Sequence, residues 1–251
     1  MAKRSGSYVV PFSFELLSFD EAVGLAADTG RISGDAGPLL ETVVDMLDEL
    51  GRPDEYFDCI QVAGTNGKTS TTRFSAAILR GEGLKTALYT SPQLVRYPER
   101  MEVDGRVVSD EAFARGVSAA VEAGRRVNAR RVAAGERDYT ITPFDLLTAA
   151  ALVVFAEAAV DVAVLEVGMG GRWDATSATD PVAVAITGIG LDHTYFGRHA
   201  RGHRGGEGRG YQTRALGCFG RGHTRGERSA RDGCPLPRVR HCAARGESCH
   251  D

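Results

Sequence analysis

The sequence predicts an α/β fold: a parallel sheet with helices on both faces. Three observations predict it. Strand-like apolar runs alternate with segments whose apolar residues recur at helical spacing. The last two runs, "DVAVLEVGMGG" and "VAVAITGIGLDHT", are apolar throughout, as strands buried on both faces are. Each run ends in a polar cluster, and in such sheets ligands bind beyond the carboxyl ends of the strands.

In chain order, "FDEAVGLAADTG" and "GPLLETVVDMLDELG" read as helices with glycine at or just past their ends. "DCIQVAG" is a short buried strand running into a glycine loop. "TSTTRFSAAILRGEG" is the following helix, with Phe74, Ile78 and Leu79 along one side. "KTALYTS" is the next strand. "SDEAFARGVSAAVEAGRRVNARRVAAG" is a long polar helix with Ser109 as its N-cap, because a serine side chain can accept from the free N–H groups of the first turn. "TPFDLLTAAALVVFAEAA" is a buried helix with Pro143 in its first turn, where no N–H is needed. The two apolar strands follow. No internal repeat is visible.

The 251 residues suffice for one large domain or two small ones. The net charge of -3 hides a split: residues 198–251 hold 12 of the 30 basic residues, all arginine, and 5 of the 33 acidic ones. The tail is therefore about +7 and residues 1–197 about -10. Only Cys59 of the five cysteines precedes the tail, so the body has no disulfide framework and suits a reducing cytoplasm. The N-terminal apolar run is broken by Pro11, Ser13 and Glu15, which argues against a signal peptide. No stretch is long and apolar enough to span a membrane.

"VAGTNGKTSTT" joins a strand to a helix. Gly64 and Gly67 let successive N–H groups face an anion, Lys68 adds a point charge, and the helix N-terminus adds its dipole. Thr69, Ser70 or a neighbour would help hold a magnesium ion. The G-x-x-G-K-T spacing is shorter than the usual G-x-x-x-x-G-K pattern; the plain alternative is a glycine turn with an exposed lysine.

Ser91, Glu166 and His193 each lie at the end of a strand, and together they can complete the shell of a magnesium ion bridging ATP phosphates. Each also has a plain reading: Ser91 before Pro92 forms a turn, Glu166 pairs with Arg172, and His193 beside Asp192 is structural. "GMGGRWDATS" presents Arg172, Trp173 and Asp174, a set suited to a flat heterocycle; the alternative is a loop with Trp173 tucked into the core. "ITPFDLL" offers Thr142, Phe144 and Asp145, or a simple helix cap.

"VAGTNGKTS", "YTSPQLVRYPER", "LEVGMGGRWDAT" and "GIGLDHT", in this order, resemble the Mur ligase superfamily and, within it, folylpolyglutamate synthase/dihydrofolate synthase. The resemblance covers roughly residues 18–197. It implies a partial, incomplete P-loop ATPase domain of the Mur-ligase type at 1–197 and an ATP-dependent ligase. ATP would phosphorylate the carboxylate of folate or dihydropteroate, and the amine of L-glutamate would then attack the acyl phosphate. It implies that Gly64, Thr65, Asn66, Gly67, Lys68, Thr69 and Ser70 hold ATP, and that Ser91, Glu166 and His193 hold Mg2+. Lys68, Glu166 and His193 would be the catalytic set. Thr142, Pro143, Phe144, Asp145, Arg172, Trp173 and Asp174 would line the pterin site. Thr69 stands where many members have glycine, and Ser177 where many have asparagine. A cytoplasmic monomer is expected, with no membrane and no nucleic acid as partners. Two other readings stay open: a superfamily ligase acting on a peptidoglycan precursor, and a nucleotide-binding protein with a basic nucleic-acid-binding arm.

After "LDHT" the family pattern continues with a helix resembling "IAAEKAG" and then "IKPG", whose lysine is expected to be carbamylated. Neither segment is spelled in this chain. Shifting the codons of residues 202–215 by one base, with free choice of wobble bases, can spell DIAAEKAGVIKPG. Residues 198–251 are therefore expected to be an out-of-frame, disordered tail, and the chain to be impaired and poorly soluble. Competing readings of the tail are an Arg–Gly arm binding nucleic-acid phosphates and a zinc site among Cys218, Cys234, Cys242 and Cys249.

Overall fold

The computed structural model of the protein describes residues 3–28, 40–169, 171 and 173–188. Its elements are α1 (Phe19–Ala27), α2 (Leu40–Glu49), β1 (Asp58–Ala63), α3 (Lys68–Gly81), β2 (Thr86–Tyr89), β3 (Met101–Val103), β4 (Arg106–Val107), α4 (Asp110–Ala133), α5 (Pro143–Glu157), β5 (Val162–Glu166) and β6 (Ala183–Ile186). They build one sheet in the order β4-β3-β2-β5-β1-β6. The inner run β2-β5-β1-β6 is parallel, as expected.

The sheet departs from the expectation at one edge. β3 pairs with β2, and β4 with β3, in antiparallel register, so the sheet is mixed. The cause is local: Asp104 and Gly105 both adopt positive φ, 51° and 76°, the backbone of a two-residue hairpin turn. The Asp-Gly dipeptide between "MEV" and "RVV" was a readable signal for it.

Helices do cover both faces. Successive strand residues point to opposite sides. Val62, Leu88 and Val164 face α3 and meet Ala76. Cys59, Ala87, Tyr89, Ala163 and Leu165 face the larger core built with α1, α2, α4 and α5. α5 lies directly on the sheet under the other helices, so Leu146 through Ala156 are all buried. The capping residues act as read: Ser109 accepts from Ala112 N at 3.2 Å, and Thr142 and Asp145 form a reciprocal capping box. α4 is less polar than expected, because Phe113, Val117, Ala120, Gly124 and Val127 form a buried stripe at helical spacing.

On α3 the expected apolar side divides. Thr72 and Ala76 are buried, with Leu79 packed against them, whereas Phe74 and Ile78 are exposed. The strand surface under α3 admits only one narrow row of the helix.

Candidate active site

The parallel order brings the carboxyl ends of β1, β2, β5 and β6 to one edge. The loop after β1 curls through Gly64 (φ +137°) and Gly67 (φ +82°), conformations that a side chain resists. A Cβ on Gly64 would lie 2.0 Å from Thr187 Oγ1. The loop is pinned to the segment after β6, since Thr65 N donates to Gly188 O at 2.9 Å and Thr187 N to Ala63 O at 2.8 Å. Gly67 caps α3 without a side-chain bond. The first-turn N–H groups of α3 thus face outward with the positive end of the helix dipole. Asn66 and Ser70 are exposed on this rim. Lys68 Nζ is folded onto the loop's own carbonyls, 3.0 Å from Gly64 O and 3.4 Å from Thr65 O.

Glu166, at the end of β5, is 2 % exposed and faces this loop. Its Oε1 accepts from Thr69 Oγ1 at 2.9 Å and its Oε2 from Ser91 N at 3.3 Å. Burial raises its pKa, opposed by those two bonds and by the positive charges of Lys68 and Arg73. The structure thus joins three expected residues, Thr69, Ser91 and Glu166. Ser91 takes part through its backbone N–H and begins a turn at a cis Ser91–Pro92 bond. Among the described residues no three His, Cys, Asp or Glu side chains come together as a metal cluster. His193, Asp192 and Arg172 lie outside the described residues, as do the readings placed on residues 198–251.

The second expected group also converges. Phe144 leans on Tyr89, ring centroids 6.0 Å apart, and lies against Gly168, where a Cβ would come within 2.6 Å of its ring. That close approach seats the 168–174 loop on the start of α5. Trp173 is 48 % exposed, so it stands at the surface rather than in the core. The two acids face inward. Asp145 is buried and accepts from Thr142 N at 3.0 Å and Thr142 Oγ1 at 2.8 Å, behind Pro143. Asp174 is buried and accepts from Thr176 Oγ1 at 2.6 Å, Thr176 N at 3.0 Å and Met169 N at 2.9 Å. Burial pushes the Asp174 pKa up to about 6 against those bonds. Both acids hold their loops in shape. For Thr142 and Asp145 this is the helix-cap alternative; Asp174, expected with Arg172 and Trp173 in the heterocycle-binding set, is a buried anchor of its loop.

Sequence reasoning missed Gln61. It is buried in β1, and its amide donates to Thr176 Oγ1 at 2.8 Å and Ser177 Oγ at 3.0 Å. A glutamine inside an apolar strand was the available signal. Among the described residues the site is an open edge. Cavities of about 140 Å³ between α3 and the β3–β4 hairpin, and about 330 Å³ beside the starts of α1 and α4, lie elsewhere.

Comparison with known proteins gives concordant results. The Mur ligase middle domain matches residues 62–200. A probable bifunctional folylpolyglutamate synthase/dihydropteroate synthase of Haloferax volcanii is 44% identical over 178 residues, 71% of this chain and 20% of the relative. A dihydrofolate synthase/folylpolyglutamate synthase of Mycobacterium tuberculosis is 37% identical over 167 residues, 66% of this chain and 34% of the relative. Among solved structures, Escherichia coli FolC in complex with DHPP and ADP superposes with TM-score 0.61 at 32% identity, over 74% of this chain and 41% of that one. The apo form of L. casei FPGS gives 0.64 at 31% identity, over 71% and 42%. The chain thus spans about a fifth to two fifths of the length of these relatives. The match spans more than half of the chain and includes both the glycine loop and the Glu166 strand end, so the chain belongs to the Mur ligase family, among its folylpolyglutamate synthase/dihydrofolate synthase members.

Proposed function

We propose that this chain carries the ATP-binding and pterin-binding part of a ligase that joins L-glutamate to the carboxylate of folate or dihydropteroate through an acyl phosphate. The observation that carries the reading is the junction of Thr69, Ser91 and Glu166 beside the N-terminus of α3. In this reading the N–H groups of residues 64–70 cradle the phosphates, and Lys68 leaves the carbonyls of Gly64 and Thr65 to pair with them. Thr142, Pro143 and Phe144 with Trp173, and Arg172 of the same loop, face the pterin, while Asp145 and Asp174 keep those loops in place.

Glu166 suits magnesium. It is one buried carboxylate whose oxygens meet only a hydroxyl and a backbone N–H among the hydrogen bonds described, and magnesium takes one or two carboxylates plus phosphates and water. Ser91 and His193 complete the proposed set. When bound, magnesium would neutralise charge that develops on the phosphates during transfer. Lys68, Glu166 and His193 form the proposed catalytic group.

The solved complexes of relatives with ADP, AMPPCP, DHPP and folate support this choice of ligands. The buried, unpaired thiol of Cys59 supports a reducing compartment, and we place a single copy of the chain in the cytoplasm, without membrane or nucleic acid as partner. Among the described residues no helix is long and apolar enough to cross a membrane.

The test is calorimetric titration of the 251-residue chain with Mg-AMPPCP and, separately, with dihydropteroate and with a nucleotide-linked muramyl substrate. Saturable binding of the nucleotide and of dihydropteroate is expected, with nucleotide binding lost in Lys68→Met. Binding of the muramyl compound instead would move the chain to a different branch of the family.

A further inference from the structure

We propose that Gln61 is a positioning residue for the loop that presents Trp173, acting through Thr176 and Ser177. The proposal rests on the reading of residues 168–177 as the substrate loop. Gln61 is 1 % exposed and sits on β1, between β5 and β6, flanked by Ile60 and Val62. A buried amide is retained only where its hydrogen bonds are met, and here both N–H groups are spent on one loop.

The direction of these bonds is fixed by proton counting. A hydroxyl has one proton to give. Thr176 Oγ1 gives its proton to Asp174 Oδ1 at 2.6 Å, and Ser177 Oγ gives its proton to Gly171 O at 2.6 Å. Both hydroxyls are therefore acceptors toward Gln61, which meets them with its amide nitrogen and not its oxygen. Asp174 in turn closes the loop at Met169 N, and Ser177 N donates to Asp174 O at 2.9 Å. The chain of bonds encloses Trp173 from both sides. The same strand, three residues on, becomes the Gly64 loop, so one rigid element seats the phosphate loop and aims the substrate loop.

This polarity makes near-isosteric variants informative. Gln61→Met keeps length and loses both donors. Gln61→Glu keeps shape and offers only acceptors to two oxygens whose protons are already committed. Ser177→Ala removes one link with the smallest change elsewhere. Ser177→Asn retains an acceptor for Gln61 and a donor for Gly171 O.

Trp173 is the chain's single tryptophan, so its fluorescence reports this loop alone. In the full chain, acrylamide quenching of Trp173 is expected to rise in Gln61→Met, Gln61→Glu and Ser177→Ala and to stay unchanged in Ser177→Asn. Dihydropteroate affinity should fall roughly tenfold in the first three, the scale of one buried hydrogen bond, with Mg-AMPPCP affinity unchanged. Unchanged quenching in Gln61→Met overturns the proposal. So does a parallel loss of nucleotide and dihydropteroate affinity, which marks general destabilisation. Should Gln61→Glu fail to fold, Ser177→Ala and Gln61→Met decide the question by the same readouts. If the unmodified chain binds no dihydropteroate, the substrate reading fails, and quenching alone still decides whether Gln61 holds the loop.

Discussion

Gly64→Ala tests the architecture of the phosphate loop. The new Cβ would stand 2.0 Å from Thr187 Oγ1, 3.1 Å from Thr187 Cβ and 3.2 Å from Thr187 N. The hydroxyl can rotate away at the loss of its 3.1 Å bond to Ala63 O, but the backbone nitrogen cannot. Overpacking of this kind costs about 1–3 kcal/mol. The φ of +137° adds strain of about 1–3 kcal/mol for an alanine. Together the substitution should cost about 2–6 kcal/mol, divided between global stability and the affinity of the loop for phosphates. If it fell wholly on binding, nucleotide affinity would drop by about thirtyfold to about ten-thousandfold. Urea denaturation and calorimetry with Mg-AMPPCP measure the two shares. The double variant Gly64→Ala/Thr187→Ala should recover only the clash with the hydroxyl, leaving the close contacts with the residue-187 Cβ and backbone nitrogen and the strain of the φ. If Gly64→Ala were as stable as the parent and bound nucleotide equally well, the loop would not be held in the conformation described. The reasoning from its φ and its contact with Thr187 would then be wrong.

Three further outcomes are expected. Glu166→Gln keeps an acceptor for Thr69 and removes the charge, so Mg-AMPPCP affinity should fall by about tenfold or more with metal-free nucleotide affinity retained; equal losses with and without metal would deny Glu166 a metal role. Gly116→Ala places a Cβ 2.6 Å from Val154 Cγ2 and 2.8 Å from Ala150 O. The overpacking there should outweigh the gain of about 1 kcal/mol in helix propensity. A net loss of up to about 2 kcal/mol in urea is expected, only partly recovered by adding Val154→Ala because Ala150 O is backbone. Asp54 concerns pH. Burial raises its pKa from 3.8 to about 6 despite the nearby charge of Arg52, and its Oδ1 has no hydrogen-bond partner among the described residues. A raised folded-state pKa means stability that is complete below the unfolded value and is lost as pH rises through the folded one. The contribution is at most about 3 kcal/mol. Stability measured from pH 4 to pH 7 should therefore decline less steeply in Asp54→Asn, with the remaining slope owed partly to Asp174; an unchanged slope would remove Asp54 from the account.

Local chemistry was legible in the sequence. Ser109 and Thr142 announced helix starts because a cap needs only the next three residues. The Gly64–Lys68 loop was legible for the same reason: positive φ, a helix start and a lysine all lie within five residues. The Asp104-Gly105 hairpin was equally local and was passed over in favour of a wholly parallel sheet.

What the sequence alone determined was the four parallel strands, the caps at Ser109 and Thr142 and the residue types gathered at strand ends. Only the tertiary structure decided which of them meet. Thr69 and Glu166 lie 97 residues apart, and Gln61 and Thr176 lie 115 apart. They touch because the crossovers set β1 between β5 and β6, and no short-range pattern encodes strand order. The inward turn of Asp174 and the exposure of Phe74 and Ile78 have the same origin. A residue's type fixes what bonds it can make, whereas its burial and partners are set by the elements packed around it.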